Sequence, residues 1–275
     1  MTTPSIEQSF RDALHSGRRV YGTLVASTSP RSVESLAGLK LDCVFIDCEH
    51  IPMNWPDLGW MCRAYRGLGI VPIVRIPRAD PFEACRALDV GARGIIAAYV
   101  ETPEEVSLLR GAVKLRPFKG KRLADILSGK APLDPELAAY VENYNRNNIL
   151  IVNIESVAAI QALDSILAVP GLDAVLVGPH DLSCSLGKPE QYDHPLFEEA
   201  MHQIISKARA ANIGVGVHNL PTVEQDIKWG KAGLNLFLRM SDLMLFRRGL
   251  HDDLTRLRES MGQDAPAQTP GHITI

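Results

Sequence analysis

The sequence is short of the features that mark secreted, membrane or nucleic-acid-binding proteins. It holds 5 cysteines (Cys43, Cys48, Cys62, Cys85 and Cys184), an odd number, widely spaced and without a C-x-x-C pair. In a chain of this size that pattern reads as free thiols in a reducing compartment rather than a disulfide framework. The longest apolar runs, such as Gly94–Val100 and Ala174–Gly178, fall far short of the ~18 residues that span a bilayer. Residues Met1–Arg11 contain no apolar segment of the kind a secretory signal needs. The formal net charge is -3, with no basic surplus to suggest a nucleic-acid footprint. G-x-G-x-x-G, P-loop and G-x-S-x-G segments are all absent, so nucleotide-binding and hydrolase motifs give no lead. These absences leave a cytoplasmic chain with no membrane or nucleic-acid partner as the expectation.

What is present is a regular alternation. Runs rich in branched apolar residues predict strands at Val20–Val25, Cys43–Asp47, Val71–Ile76, Gly94–Ala98, Ile149–Ile154, Ala174–Gly178, Ile213–Val217 and Leu234–Leu238. Several are continuously apolar, as strands covered on both faces are. Helix starts lie between them: Asp80-Pro81-Phe82-Glu83 and Thr102-Pro103-Glu104-Glu105 each supply a cap, a proline at the first helical position and a carboxylate at the third, and Asp134-Pro135-Glu136 begins another helix. Gly69, Gly91 and Gly233 punctuate helix ends. Eight β/α units in 275 residues predict a single-domain α/β fold, a (β/α)8 TIM barrel. A doubly wound sheet is the alternative, but the glycine-rich turn it usually carries after its first strand is replaced here by Val25-Ala26-Ser27-Thr28. Leu115–Pro132, long and basic, is expected to be a loop or lid. The barrel is expected over residues 1–261, with a mobile tail over 262–275.

Barrel enzymes place their chemistry at the C-terminal ends of their strands, so the ionisable residues there are the candidates. The second strand ends in Asp47-Cys48-Glu49-His50, the third in Arg75, the fifth in Glu155, and the sixth runs into Gly178-Pro179-His180-Asp181. A strand-end carboxylate is often only a helix cap, and a lone histidine is more often structural than catalytic. The convergence of four such ends in one mouth shifts that balance. Glu155 and Asp181 offer hard oxygen ligands that suit Mg²⁺ or Mn²⁺. Arg75 is costly to bury unless it meets an anion, and it could steady an enolate. His50 could move a proton near neutral pH. None of the eight predicted strands contains a lysine, and Lys40 lies before the second strand on the wrong face, so a Schiff-base mechanism has no candidate.

The chain resembles the HpcH/HpaI family of class II pyruvate aldolases from about Tyr21 to Arg258. The resemblance is carried by Gly22-Thr23-Leu24, Phe45-Ile46-Asp47-Cys48-Glu49-His50, Val74-Arg75, Leu88-Asp89-Val90-Gly91-Ala92, Val152-Asn153-Ile154-Glu155 and Gly178-Pro179-His180-Asp181-Leu182-Ser183. It implies a barrel whose last helix packs on a neighbour, assembled as a hexamer (a trimer of dimers). It also implies a divalent metal, Mg²⁺ or Mn²⁺ with Co²⁺ as a further candidate, held by Glu155 and Asp181 and chelated by the pyruvyl group. The substrate carboxylate would meet backbone N–H groups around His180 and Asp181, with Gly178 and Pro179 shaping that loop. Arg75 would polarise the carbonyl. Asp47 belongs to the same catalytic group, and His50 would assist proton transfer. Asp89 would reach the His50 of an adjacent subunit, although a turn or helix-end role is its plainer reading.

The expected reaction is cleavage of a 4-hydroxy-2-oxo acid to pyruvate, or a related 2-oxo acid, and an aldehyde. Oxaloacetate decarboxylation, or decarboxylating C–C bond synthesis of the macrophomate synthase type, is the alternative. A non-catalytic keto-acid-binding barrel is a third reading. The sequence departs from the family at Leu24, Cys48, Leu123, Asn153 and His180, which bears on loop geometry and on the aldehyde partner.

Overall fold

A computed structural model describes residues Pro4–Gln263. Eight parallel strands, β1 (Val20–Val25), β2 (Cys43–Asp47), β3 (Val71–Ile76), β4 (Gly94–Ala97), β5 (Ile149–Ile154), β6 (Ala174–Val177), β7 (Gly214–His218) and β8 (Leu236–Ser241), close into a barrel in sequence order. Helices α1 (Ile6–Ser16), α2 (Pro30–Leu36), α3 (Trp55–Gly67), α4 (Pro81–Val90), α5 (Pro103–Lys114), α6 (Gly120–Leu127) and α7 (Pro135–Asn145) precede β5. After it come α8 (Val157–Gln161), α9 (Leu163–Leu167), α10 (Pro179–Ser185), α11 (Pro195–Ala210), α12 (Val223–Ala232) and α13 (Asp242–Ser260). This is the (β/α)8 TIM barrel that the strand count predicts.

The caps form as the sequence chemistry requires. Asp80 accepts the N–H groups of Phe82 and Glu83, Thr102 and Glu105 make a reciprocal capping box, and Asp134 accepts Leu137 N–H. The last two strands start one and two residues later than predicted. Ile213 N–H bonds Ala208 O and Leu234 N–H bonds Trp229 O, so both residues belong to the turns that end the preceding helices. Leu115–Pro132 is not a bare loop, because it contains α6. Leu123 and Leu127 fall on one side of that helix, packed over Gly111 of α5, but the helix has only 8 residues and is flanked by Lys119 and Lys130, so the segment reads as a basic loop in the sequence. The expected tail lies outside the described residues apart from Gly262 and Gln263.

Alternation along each strand separates two cores. Inward residues such as Leu24, Phe45, Ile73, Ile96, Ile151, Leu176 and Leu238 fill the barrel, joined from below by Phe10 and Leu14 of α1. Outward residues such as Val44, Ile46, Val74, Ile95, Val152 and Val175 pack under the helices. The same alternation turns Asp47, Arg75, Asn153, Glu155 and His218 toward the axis, above the packed layers. Among the described residues, no helix is long and apolar enough to cross a membrane.

Candidate active site

Two carboxylate systems meet at the C-terminal mouth of the barrel. The first is built on β2 and β3. Their register sets Asp47 beside Arg75, and Arg75 donates from Nε and Nη2 to the two Asp47 oxygens at 2.8 and 2.7 Å. Both side chains are buried. Burial opposes ionisation of Asp47, but the Arg75 hydrogen bonds and charge outweigh it and hold the carboxyl below its usual range. Arg75 also reaches Glu49 Oε2 at 3.1 Å, and its guanidinium lies 5.0 Å from the Phe45 ring centroid. Glu49 is pushed up to about 7, chiefly by burial; Arg75 opposes this, and the charges of Asp47 and Asp181 add to it. His50 stands at the rim, its side chain 42% exposed and its Nε2 3.7 Å from Glu49.

The second system is Glu155 with Asp181. Glu155 follows β5 directly and is buried. Its Oε1 accepts Tyr99 N–H at 2.7 Å and its Oε2 accepts Asn153 Nδ2–H at 2.9 Å. Tyr99 adopts a left-handed backbone, φ 54°, the kind of strained conformation found where function fixes the chain. Burial pushes Glu155 up to about 7; the Tyr99 and Asn153 hydrogen bonds oppose this, and the nearby charges of Asp181 and Glu49 add to it. Asp181 sits in the first turn of α10. Gly178 precedes it, and a Cβ there would fall 2.4 Å from Glu155 Oε2. Only glycine keeps that approach open.

The remaining expected residues are placed as follows. His180 is on the same turn as Asp181, but its side chain is 54% exposed and lies 3.7 Å from Glu190. Asp89 is in the last turn of α4, its side chain 62% exposed and ion-paired with Arg116. This is the helix-end position of its plainer reading. Two residues went unselected in the sequence. Glu49 was inside the D-x-E-H segment and touches Arg75. His218, a lone histidine at the end of β7, packs edge-on to Phe45 with ring centroids 4.9 Å apart, and burial pushes its imidazole down to about 3, so it is neutral near pH 7. The inward register of β7 was its one available signal.

Among the described residues, no group of three or more His, Cys, Asp or Glu side chains is set in ready metal-binding geometry. The chemistry of the mouth nevertheless fits a hard cation. Glu49, Glu155 and Asp181 disfavour one another's charge, all offer oxygen donors, and Gly178 adds no side chain against the Glu155 carboxylate.

The sequence profile of the HpcH/HpaI aldolase/citrate lyase family matches residues 21–236. The chain belongs to that family. It is an enzyme of the aldolase/lyase class. It is 30% identical over 242 residues to 5-keto-4-deoxy-D-glucarate aldolase of Escherichia coli (strain K12), covering 86% of this chain and 92% of that protein. Over 229 residues it is 30% identical to hydroxypyruvate/pyruvate aldolase of Roseovarius nubinhibens (strain ATCC BAA-591 / DSM 15170 / ISM), covering 82% and 89% of the two chains. The crystal structure of macrophomate synthase superposes with a TM-score of 0.74 at 26% identity, covering 93% of this chain and 90% of that one.

Proposed function

We propose that this enzyme cleaves 4-hydroxy-2-oxo acids to pyruvate, or a related 2-oxo acid, and an aldehyde. The observation that carries the reading is the pairing of two opposite environments across one mouth: a buried Glu155 with no ion-pair partner among the described residues, close to Asp181, and an Arg75 locked by Asp47 and Glu49. Glu155 and Asp181 would hold Mg²⁺, Mn²⁺ or Co²⁺, and such a cation supplies positive charge that polarises a 2-oxo acid when bound. The substrate carboxylate would rest on the free N–H groups at the start of α10, by His180 and Asp181, with Gly178 and Pro179 keeping that approach clear. Asp47 and Glu49 engage Nε and Nη2 of Arg75, which leaves Nη1 to donate to the carbonyl oxygen. Negative charge grows on that oxygen as the C3–C4 bond breaks and an enolate forms, so the fixed donor favours the transition state over the ground state. His50, at the rim beside Glu49, is the group that would take the C4 hydroxyl proton and return one to the enolate carbon.

The reading extends to assembly. Helix α13 buries none of its residues, and Leu243, Phe246, Leu250, Leu254 and Leu257 stand exposed along it. Such a stripe calls for a covering surface, which supports packing of this helix on a neighbouring subunit of a homo-oligomer, in the hexameric arrangement the family resemblance implies. In that arrangement the exposed Asp89 would approach the His50 of an adjacent subunit and orient it. All 5 cysteines are free, in keeping with a cytoplasmic enzyme.

The similarity to macrophomate synthase favours one second reading, decarboxylation of oxaloacetate to the same enolate. The test is pyruvate release from a panel of 4-hydroxy-2-oxo acids and from oxaloacetate, with each metal added and with a chelator. Metal-dependent release from the hydroxy acids supports the lyase reading. Turnover of oxaloacetate alone favours the decarboxylase.

A further inference from the structure

His218 is a polar side chain at the mouth that neither carboxylate system engages by a hydrogen bond. It ends β7. It pairs with Leu238 of β8, whose side chain points into the barrel, and it shares that direction. Its ring stands edge-on to Phe45, with centroids 4.9 Å apart, and the same Phe45 ring lies 5.0 Å from the Arg75 guanidinium. The charges of Arg75, Asp47 and His50 all reach the imidazole. His218 thus joins the group built on β2 and β3, but it arrives from the opposite wall of the barrel.

Its level in the barrel ties it to the second system. Ile154 of β5 pairs with Val177 of β6, and Val177 pairs with Val217 of β7, so the next residues along these strands, Glu155, Gly178 and His218, share one level. Ile154, Val177 and Val217 face the helix layer, which turns the level above them toward the axis. Gly178 places no side chain there, and a Cβ on it would fall 2.4 Å from Glu155 Oε2. Glu155 and His218 therefore flank a position without a side chain of its own.

Nε2 of His218 is enclosed and, among the described residues, has no hydrogen-bond partner. Buried polar atoms in folded proteins are nearly always paired, and an exception asks for a role. An apolar ring would pack on Phe45 without leaving such an atom. The imidazole remains partly exposed, and its outer torsion is soft, so the ring can turn Nε2 toward an oxygen that arrives in the mouth. The pose proposed for the 2-oxo acid brings one there. Its carboxylate rests at the start of α10, after β6, its carbonyl meets Arg75 on β3, and Glu155 occupies the β5 side between them. The chain beyond C3 then leaves toward β7, β8, β1 and β2, the arc that holds His218 in its wall and His50 at its rim.

We propose that His218 is a further catalytic residue of the cleavage, donating its imidazole N–H to the C4 oxygen of the hydroxy acid while His50 takes the proton from that oxygen. The inference rests on the lyase reading above and adds the group that recognises the C4 hydroxyl. In the step, the hydroxyl proton passes to His50, the C3–C4 electron pair passes to the enolate, and C4 becomes the aldehyde carbonyl. Charge that develops on the C4 oxygen is met by a fixed donor. A neutral imidazole polarises an oxygen by donation alone, and its single N–H suffices for that.

The test follows two reactions of the full-length enzyme with Mg²⁺ or Mn²⁺ added. One is pyruvate release from the best-cleaved member of the 4-hydroxy-2-oxo acid panel. The other is exchange of the C3 protons of pyruvate in D₂O, read by proton NMR. Both pass through the enolate, and only the first involves a C4 hydroxyl. His218→Phe keeps a ring against Phe45 and removes both nitrogens. It should cut kcat/KM for the hydroxy acid at least about tenfold more than it cuts the exchange rate. His218→Gln, which offers an N–H donor again, should recover part of that loss. Equal losses in the two reactions, no loss of cleavage, or a cleavage loss that His218→Gln leaves in full overturns the role. Release from no member of the panel by the unmodified enzyme overturns the lyase reading itself, and the role of His218 with it.

Discussion

The two ends of the barrel each bury a carboxylate, and they treat it in opposite ways. At the base, Asp173 is fully buried and is met by Arg11 at 3.0 Å, His15 at 3.1 Å, Lys114 and the N–H of Leu150. Burial works against its charge, but Lys114, His15 and Arg11 together hold the carboxyl ionised well below the usual carboxylate range. At the mouth, Glu155 is almost as buried, has two hydrogen-bond donors and, among the described residues, no ion-pair partner, and is pushed up to about 7. The base is fully compensated, as a structural ion cluster must be. The mouth is left in debt of positive charge, which is the condition under which an ionic ligand gains most on binding. The contrast separates a charge that holds the fold from a charge kept for chemistry.

Exchanging the two carboxylates' roles by mutation gives the largest expected effects. Asp173→Ala should destabilise the fold by about 3–5 kcal/mol, because Lys114 would be left buried and unpaired. Denaturant unfolding measures this, and activity should fall only with the folded fraction. Glu155→Ala should do the reverse: metal-dependent pyruvate release falls to background while the unfolding midpoint holds or rises. A Glu155→Ala enzyme with full activity would remove the mouth from the chemistry. Next in size is Arg75→Lys. An ammonium cannot reproduce the planar fork that contacts Asp47 and Glu49 while aiming a further N–H at the substrate. A loss of roughly 10²-fold or more in kcat is expected; a change confined to KM would make Arg75 a plain carboxylate binder.

A smaller effect tests whether the mouth is completed by a neighbour. His50→Ala and Asp89→Ala proteins, each inactive alone, should regain partial activity when their subunits are mixed, since some interfaces then pair an intact His50 with an intact Asp89. No recovery after verified subunit exchange would confine Asp89 to its ion pair with Arg116. The smallest effect lies at the base. His15 contacts Asn212 O through Nδ1 and Asp173 through Nε2, two acceptors for one ring, so both nitrogens carry protons in the fold. The Asp173 hydrogen bond is the leading cause that raises this histidine, and burial opposes it. A raised basic group adds stability that is complete below its unfolded value of about 6.5 and is lost as pH climbs through the higher folded value. His15 is 39% exposed, so about 1 kcal/mol or less is at stake. His15→Gln should flatten the decline of unfolding free energy above pH 6.5; an unchanged slope would detach His15 from the Asp173 cluster.

The base and mouth also differ in how far the sequence reveals them. The strands were legible because continuous apolar runs such as Cys43–Asp47 and Ile149–Ile154 mean burial on both faces, and their ends pointed to Asp47, Arg75, Glu155 and Asp181 together. The Asp173 cluster was not, because its cations come from α1 and α5, and nothing local links Arg11 or Lys114 to a residue at the start of β6. Helix α6 was hidden because it has only 8 residues and stands between Lys119 and Lys130 in a basic, glycine-containing stretch. Glu49 and His218 were obscured for a different reason: each matters through a residue of another strand, Arg75 on the neighbouring β3 for Glu49 and Phe45 on the facing β2 for His218, and only the pairing and closure of the strands bring these together.

The central claim is that the uncompensated carboxylates of the mouth hold a divalent cation for catalysis. Calorimetric titration of the metal-stripped enzyme with Mn²⁺, run beside Glu155→Gln and paired with pyruvate release, tests it most directly. The account predicts one cation per chain, weakened by at least about tenfold in Glu155→Gln, with activity lost in parallel. Equal Mn²⁺ affinity in the two proteins, or pyruvate release indifferent to chelator, would contradict it.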